Sequence, residues 1–323
     1  MSLTITTTIP VRNGERFLLE TLQSLASQTR PSDRIIVLDN CSTDATPRIV
    51  EGFKGLPIEY IRNPSDLGLF GNLNRCLDFS TETDYLQILH ADDLVLPEFY
   101  ATMTRQLDNC AGRGMAWCLD ERIDEQGNRL SVSGKADGSV KHFAMDEFLA
   151  RKAEISNQTF SATLLKTNRQ PIPERFPTDM PILADMVFWA KYGAHCQQLT
   201  LVNLPLGKYR WHGSNQTCFL APNVNSLIVD EWRTMQIVEA LREHPPGLVR
   251  RMKLNGLLAV RSGIKAKRFR QLGNLPHAKK ITEVARGYTG WPLWLAGQML
   301  VELRELLVFK IGGRPRHPQN IFS

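Results

Sequence analysis

The sequence contains no uncharged apolar run of about 18 residues, the length a bilayer-spanning helix requires. Its opening, Met1-Ser2-Leu3-Thr4-Ile5, has no basic stretch ahead of an apolar one, so no secretory leader is expected. Glycine (22) and proline (18) are at ordinary levels, which excludes collagen-like and low-complexity classes. The six cysteines, at 41, 76, 110, 118, 196 and 218, form no Cys-x-x-Cys and have no histidine at metal-ligand spacing. They are expected to be reduced, mostly buried thiols of a cytosolic protein, not a disulfide framework. The glycine-rich, cation-bearing phosphate loop of a nucleotidyltransferase is also missing after the first apolar run; Pro10–Asn13 is not one.

What is present is a chain of 323 residues, 42% hydrophobic and 22% charged, enough for one large domain or two modest ones. The net charge of +6 is unevenly spread. Residues 249–323 hold 15 Lys/Arg against 3 Asp/Glu, so a mildly acidic body carries a strongly basic tail. Such a tail is drawn to anionic surfaces, whether membrane, nucleic acid or phosphorylated substrate. It contains no recognisable nucleic-acid module, so nucleic acid is not expected as a partner.

Strand and helix signals alternate through the first 110 or so residues. Strands are expected at Leu3–Ile9, Arg34–Asp39, Ile58–Arg62 and Asp84–His90, which are short and apolar. Helices are expected at Gly14–Gln28, Asp44–Phe53, Phe70–Phe79 and Leu96–Asp108. This alternation argues for an α/β fold with a mostly parallel sheet covered on both faces. Beyond it, Met115–Asp120 and Leu130–Ser133 read as a hairpin, Met145–Ala153 and Leu183–Tyr192 as helices, and Pro171–Pro181 as a proline-rich loop. Gln198–Asn203 and Gly207–Trp211 read as two strands, and the chain from about Asn223 as helical. The expected division is 1–222 and 223–323.

In parallel sheets, ligands bind at the carboxyl ends of strands, and the polar clusters fall there. Asp92-Asp93 follows an apolar strand. Adjacent carboxylates repel unless a cation or donors offset them, and Mg²⁺ shared with a diphosphate would do so. A helix N-cap is the competing reading. Asp39–Thr46 can hold a base or ribose, or can form an Asx turn and cap the next helix, with Asp44 or Thr43 as Ncap. Asp185 lies in an apolar helix, either as a base with a raised pKa or as an acid stabilised by the helix dipole. Arg210 and His212 stand just past a strand, where they can meet a phosphate or, for the histidine, a metal.

The order of these pieces resembles the inverting glycosyltransferase family 2, on a GT-A fold. TTTIPVRNGERFLLETLQSLASQT is similar to that family's first strand, Pro-x-x-Asn turn and helix. IIVLDNCSTDAT resembles its V-D-D-G-S-x-D-x-T segment, and LHADDLVLP its Asp-x-Asp-Asp metal motif. NPSDLGLFGNLNRCLDFS, LADMVFWAKYG and YRWHGSNQT resemble its later segments in the same order. The resemblance covers about residues 3–220.

It implies that Pro10, Arg12, Asn13, Asp39, Gly68, Asn74 and Asp92 bind the nucleotide sugar. It implies that Asp93 and His212 serve a Mg²⁺ or Mn²⁺ ion, that Arg210 and His212 serve the diphosphate, and that Asp185 is the catalytic base. It also implies a nucleotide-sugar donor and a glycan or polyprenyl-diphosphate-linked acceptor, in surface-polysaccharide or O-antigen-type assembly. The chain departs from the motifs at Asn40, Cys41, Leu73 and Ala184, and at His90, which replaces the first carboxylate of the metal motif.

The tail adds Trp291–Phe309, apolar over a wide face. It is expected either to lie on an anionic membrane surface or to pack on the catalytic domain or a second subunit. The expected location is the cytoplasm, peripheral at the inner face of the cell membrane.

Overall fold

The protein is described from a computed structural model, over residues 3–153, 159–213, 215, 224–243 and 247–310, without the side chains of 224–225 and 302–310. Ser214, Gln216 and Thr217 of the last motif, Cys218 after it, and the tail beyond 310 lie outside these residues.

The first β-branched run forms β1 (Ile5–Val11), flanked by β2 (Arg34–Asp39) and β4 (Tyr85–Ile88), with β3 (Ile58–Arg62) beyond β2. These four strands are all parallel, in the order β3-β2-β1-β4. Between them run α1 (Leu18–Ala26), α2 (Thr46–Gly52) and α3 (Gly68–Leu77). Leu18, Leu22 and Leu25 of α1 are buried in one core with Ile5, Ile9, Ile35 and Val37. Helix α1 starts four residues later than its periodicity predicts. Asn13 sits at φ 55°, and both Phe17 and Leu18 donate backbone N–H to Gly14 O, so the chain turns before the helix begins.

The other half of the sheet is mixed. After β5 (Leu94–Val95) and α4 (Phe99–Leu107) come β6 (Gly114–Ile123), β7 (Arg129–Val132), β8 (Val140–His142), α5 (Met145–Ala153) and β9 (Thr163–Lys166). Helix α6 (Ala184–Gly193) and β10 (Gln198–Arg210) follow. Strands β6 and β7 form the expected hairpin. The two strands read at 198–211 are one, with its register against β6 shifting around Pro205, which has no N–H to donate. The sequence reading has no strand at β9, yet β9 lies between β4 and β6, antiparallel to both. Four residues, Thr-Leu-Leu-Lys, are too few to show a period; it is the pairing on both sides that makes them a strand.

Among the described residues the five cysteines at 41, 76, 110, 118 and 196 are free. The polypeptide divides into two compact units. The first comprises Met1–Phe148, Asn157–Thr178 and Phe188–Gly213 and holds the sheet. The second comprises Leu149–Ser156, Asp179–Val187 and Ser214–Ser323.

The second unit is built from α7 (Val224–Ala240), α8 (Leu248–Gln271), α9 (Leu275–Thr289) and α10 (Trp291–Lys310). Trp232 stacks on Tyr288 at 4.5 Å. Arg250 pairs with Glu239 at 2.9 Å. Gly297 of α10 lies so close to α8 that a Cβ there would meet the Ala259 Cβ at 2.7 Å. Among the described residues no helix is long and apolar enough to cross a membrane.

Candidate active site

Strands β1, β2, β4 and β10 all end on the same edge of the sheet, because β10 runs parallel to β6, and β6 and β4 both run antiparallel to β9. The polar clusters read from the sequence follow these four strand ends.

After β4 the chain continues His90-Ala91-Asp92-Asp93. One ligand atom from each of His90, Asp92 and Asp93 lies within 4.8 Å of the others. The Asp93 carboxylate is almost completely enclosed. Its Oδ2 accepts from Ser161 Oγ at 2.6 Å and its Oδ1 from the Arg210 backbone N–H at 2.9 Å. Burial first, and then the Asp92 charge, push Asp93 well above the usual carboxylate range. Burial pushes Asp92 up as well, but the His212 hydrogen bond and the His90 and His212 charges hold it below that range. Burial also lowers His90. Its Nε2 is a buried nitrogen without a hydrogen-bond partner among the described residues, and its ring stacks on Phe160 at 4.8 Å.

A buried imidazole with an unsatisfied nitrogen beside two acidic side chains is a donor set that suits a divalent cation. The sequence reading counts His90 as a lost ligand; the structure brings it into the group. The helix-cap reading of this pair does not hold, because the chain after Asp93 goes into β5, and α4 is preceded at its cap by Glu98.

Three elements fix this segment. Thr21 Oγ of α1 donates to the backbone oxygens of Ala91 (3.0 Å) and Asp93 (2.9 Å). His212 Nε2 lies 2.9 Å from Asp92 Oδ2. Arg210 is fully buried: its guanidinium donates to Asp92 O (3.0 Å), Glu125 O (3.1 Å) and Glu20 Oε2 (2.6 Å), over the Phe17 ring. Arg210→Ala would strip these carbonyls and Glu20 of their donor. It is expected to lower stability by about 1–3 kcal/mol, read as a fall in denaturant midpoint; an unchanged midpoint would show the guanidinium dispensable. Glu20 and Ser161 escaped the sequence reading because their partners are distant in the chain.

After β2, Asp39 is wholly buried. Its carboxylate accepts from Ser42 N–H (2.9 Å), Ser42 Oγ, Tyr60 OH (2.6 Å) and Arg62 Nη1 (2.9 Å). The following turn is laced to the loop after β1. Asn13 Oδ1 accepts from Thr43 N–H, Gly14 N–H donates to Thr46 Oγ1, and Glu15 N–H donates to Asp44, each within 3 Å. Pro10 is the next-to-last residue of β1, beside this loop, and Arg12 pairs with Asp66 at 2.8 Å. Asn40 donates to Asp66 Oδ1 and accepts from Leu67 N–H and Asn63 Nδ2. Gly68 has φ +69°, a backbone conformation that costs a side-chain-bearing residue. Asn74 is used at both ends by the Phe176 backbone, at 3.1 and 2.8 Å, and so clamps the proline-rich loop.

Asp185 belongs to the second unit, in the first turn of α6. Its Oδ1 accepts from the Met186 N–H at 2.8 Å. Burial raises its pKa to about 6, with the Met186 N–H and the Lys152 charge opposing. Burial in turn lowers Lys152 to about 7, with Asp185 opposing. Within the same unit, Asp230 of α7 accepts the Ile182 N–H at 2.9 Å, ahead of α6. Asp230→Ala is expected to destabilise this segment by about 1–2 kcal/mol, as the loss of a cap does. Faster amide hydrogen exchange at 182–186 would report it; unchanged exchange would refute it.

The mixed α/β sheet with acidic side chains after its fourth strand is a GT-A-type fold. The structure superposes on TarS of S. aureus, solved with UDP-GlcNAc, at a TM-score of 0.57 with 15% identity, over 97% of this chain and 93% of that one. It superposes on the mannosyltransferase PcManGT of Pyrobaculum calidifontis, solved with GDP-Man and Mn²⁺, at 0.53 with 16% identity, over 96% and 81%. Residues 6–154 match the model of Glycosyl transferase family 2. Over these residues the chain is similar to family 2 glycosyltransferases. An uncharacterized glycosyltransferase of Haemophilus influenzae is 26% identical over 213 residues, 64% of each chain. Among the curated relatives it matches, the chain spans between 32% and 64% of their length.

Proposed function

We propose that this protein transfers a hexose from a nucleoside-diphosphate sugar, a UDP-sugar by preference, to a hydroxyl of a glycan or lipid-linked saccharide. The transfer inverts the anomeric configuration and serves assembly of a surface polysaccharide at the cytoplasmic face of the membrane. The observation that carries the reading is the convergence of His90, Asp92 and Asp93 at the end of β4, in a fold shared with nucleotide-sugar enzymes.

In this reading the buried imidazole nitrogen and the two carboxylates hold Mg²⁺ or Mn²⁺. When bound, such an ion supplies positive charge against the departing diphosphate. His212 holds the Asp92 carboxylate, and the enclosed Arg210 acts through the Asp92–Asp93 backbone as a positioning residue. Pro10, Arg12, Asn13 and Gly68 line the nucleotide side, with Asp39 and Asn74 holding the loops that carry them. Asp185 takes the proton from the acceptor hydroxyl as its oxygen attacks the anomeric carbon.

A donor screen tests the proposal. UDP-, GDP- and dTDP-sugars are offered with and without Mn²⁺, and release of free nucleotide is read in the presence of polyprenyl-linked saccharide. Mn²⁺-dependent release from one donor class, UDP foremost, is expected. No release from any donor with any such acceptor would refute the reading.

A further inference from the structure

Helix α10 is inverted relative to an ordinary surface helix. Between Trp291 and Val301 its exposed residues are Trp291, Pro292, Leu295, Ala296, Met299 and Leu300, all apolar. Trp291, Leu295, Met299 and Leu300 are 48–60% exposed. The polar Gln298 faces inward instead, its Nε2 3.4 Å from Ala259 O. Gly297 seats that inner face on α8. A helix whose solvent side is apolar gains stability when something apolar covers it.

The surroundings are cationic. Between residues 248 and 301 the exposed charged residues are Arg251, Lys253, Arg270, Lys279, Lys280 and Arg286, against Glu283 alone. Lys279 and Arg286, seven residues apart, share one stripe of α9, and the Arg286 guanidinium lies 5.2 Å from the Trp291 ring centre. The aromatic start of the apolar face is thus in contact with the end of the basic stripe. An apolar helix face edged by Trp and Lys/Arg matches a bilayer interface that bears anionic headgroups. A second copy is the poorer occupant, since two such faces would bring like-charged rims together.

We infer that the exposed face of α10, with the basic stripe of α9, docks on an anionic lipid surface. This specifies the location given above and stands apart from the sugar-transfer reading, because it is measured without donor or acceptor.

The test is co-sedimentation of the full chain with phosphatidylcholine vesicles, with and without phosphatidylglycerol. Binding is expected to phosphatidylglycerol vesicles and to weaken as salt rises. The double variant Lys279→Gln/Arg286→Gln should lower the partition coefficient about 30-fold at low salt. Leu295→Glu/Met299→Glu should abolish binding. All four positions are exposed, so the far-UV spectrum and Tm should stay those of the parent. Equal binding to uncharged vesicles, or unchanged binding by Leu295→Glu/Met299→Glu, would overturn the inference. So would a dimer in light scattering that the same variant splits, since the face would then belong to a second copy.

Discussion

Asp185→Asn should lower the turnover of sugar transfer by about 10²–10⁴-fold and leave donor affinity, measured by calorimetry, unchanged. The amide keeps the size of the carboxyl and its contact with the Met186 N–H, but it cannot take a proton. The pH profile should carry the same signature. A base works only when deprotonated, and burial raises Asp185 to about 6, so turnover should fall tenfold per pH unit below that point. Lys152 favours the charged carboxylate, and it still bears its own charge below about 7. Lys152→Met should therefore move the acid limb to higher pH. A pH-independent rate between 5 and 7, or full turnover in Asp185→Asn, would remove Asp185 from the role of base.

The second large effect concerns the end of β4. His90→Phe and Asp93→Asn should each lower Mn²⁺-dependent affinity for the nucleotide sugar by roughly 10²-fold or more, the scale on which an ion stabilises phosphoryl charge. The two variants control for each other. Phenylalanine keeps the stack on Phe160 while deleting the unsatisfied nitrogen. Asparagine keeps Oδ1 for the Arg210 N–H and places an amide where Oδ2 meets the Ser161 hydroxyl, which can donate as easily as accept. Calorimetry with and without Mn²⁺, alongside Tm, separates loss of metal from loss of fold. If both variants bind donor with the parent's Mn²⁺ dependence, the group holds no ion.

Apart from the two-residue β5, the main elements of the first half of the chain were legible because each carries its own period. The apolar runs of β2 and β3 and the leucine spacing of α1 need no partner to be recognised. Helix α5 begins at Met145, where the sequence reading puts it. Strand β9 was not legible, because only pairing with β4 and β6 gives four residues an extended form. The candidate site divides in the same way. Asp92, Asp93 and His212 stand out as polar residues at strand ends. His90 does not, since its worth lies in a nitrogen that other parts of the chain bury and leave unsatisfied. Arg210 was read as a cation that could meet a phosphate; its burial against Glu20 and the Asp92 carbonyl is a long-range fact.

By itself the sequence determined the alternation of strands and helices, the placing of acidic and basic side chains after apolar strands, and the cationic charge of the tail. These follow from local period and composition, which the chain carries before it folds. Only the tertiary structure decided which carboxylates are starved of water, which imidazole joins them, and which side of α10 faces outward. Those depend on desolvation and on neighbours far apart in the chain, quantities that exist only once the elements have packed.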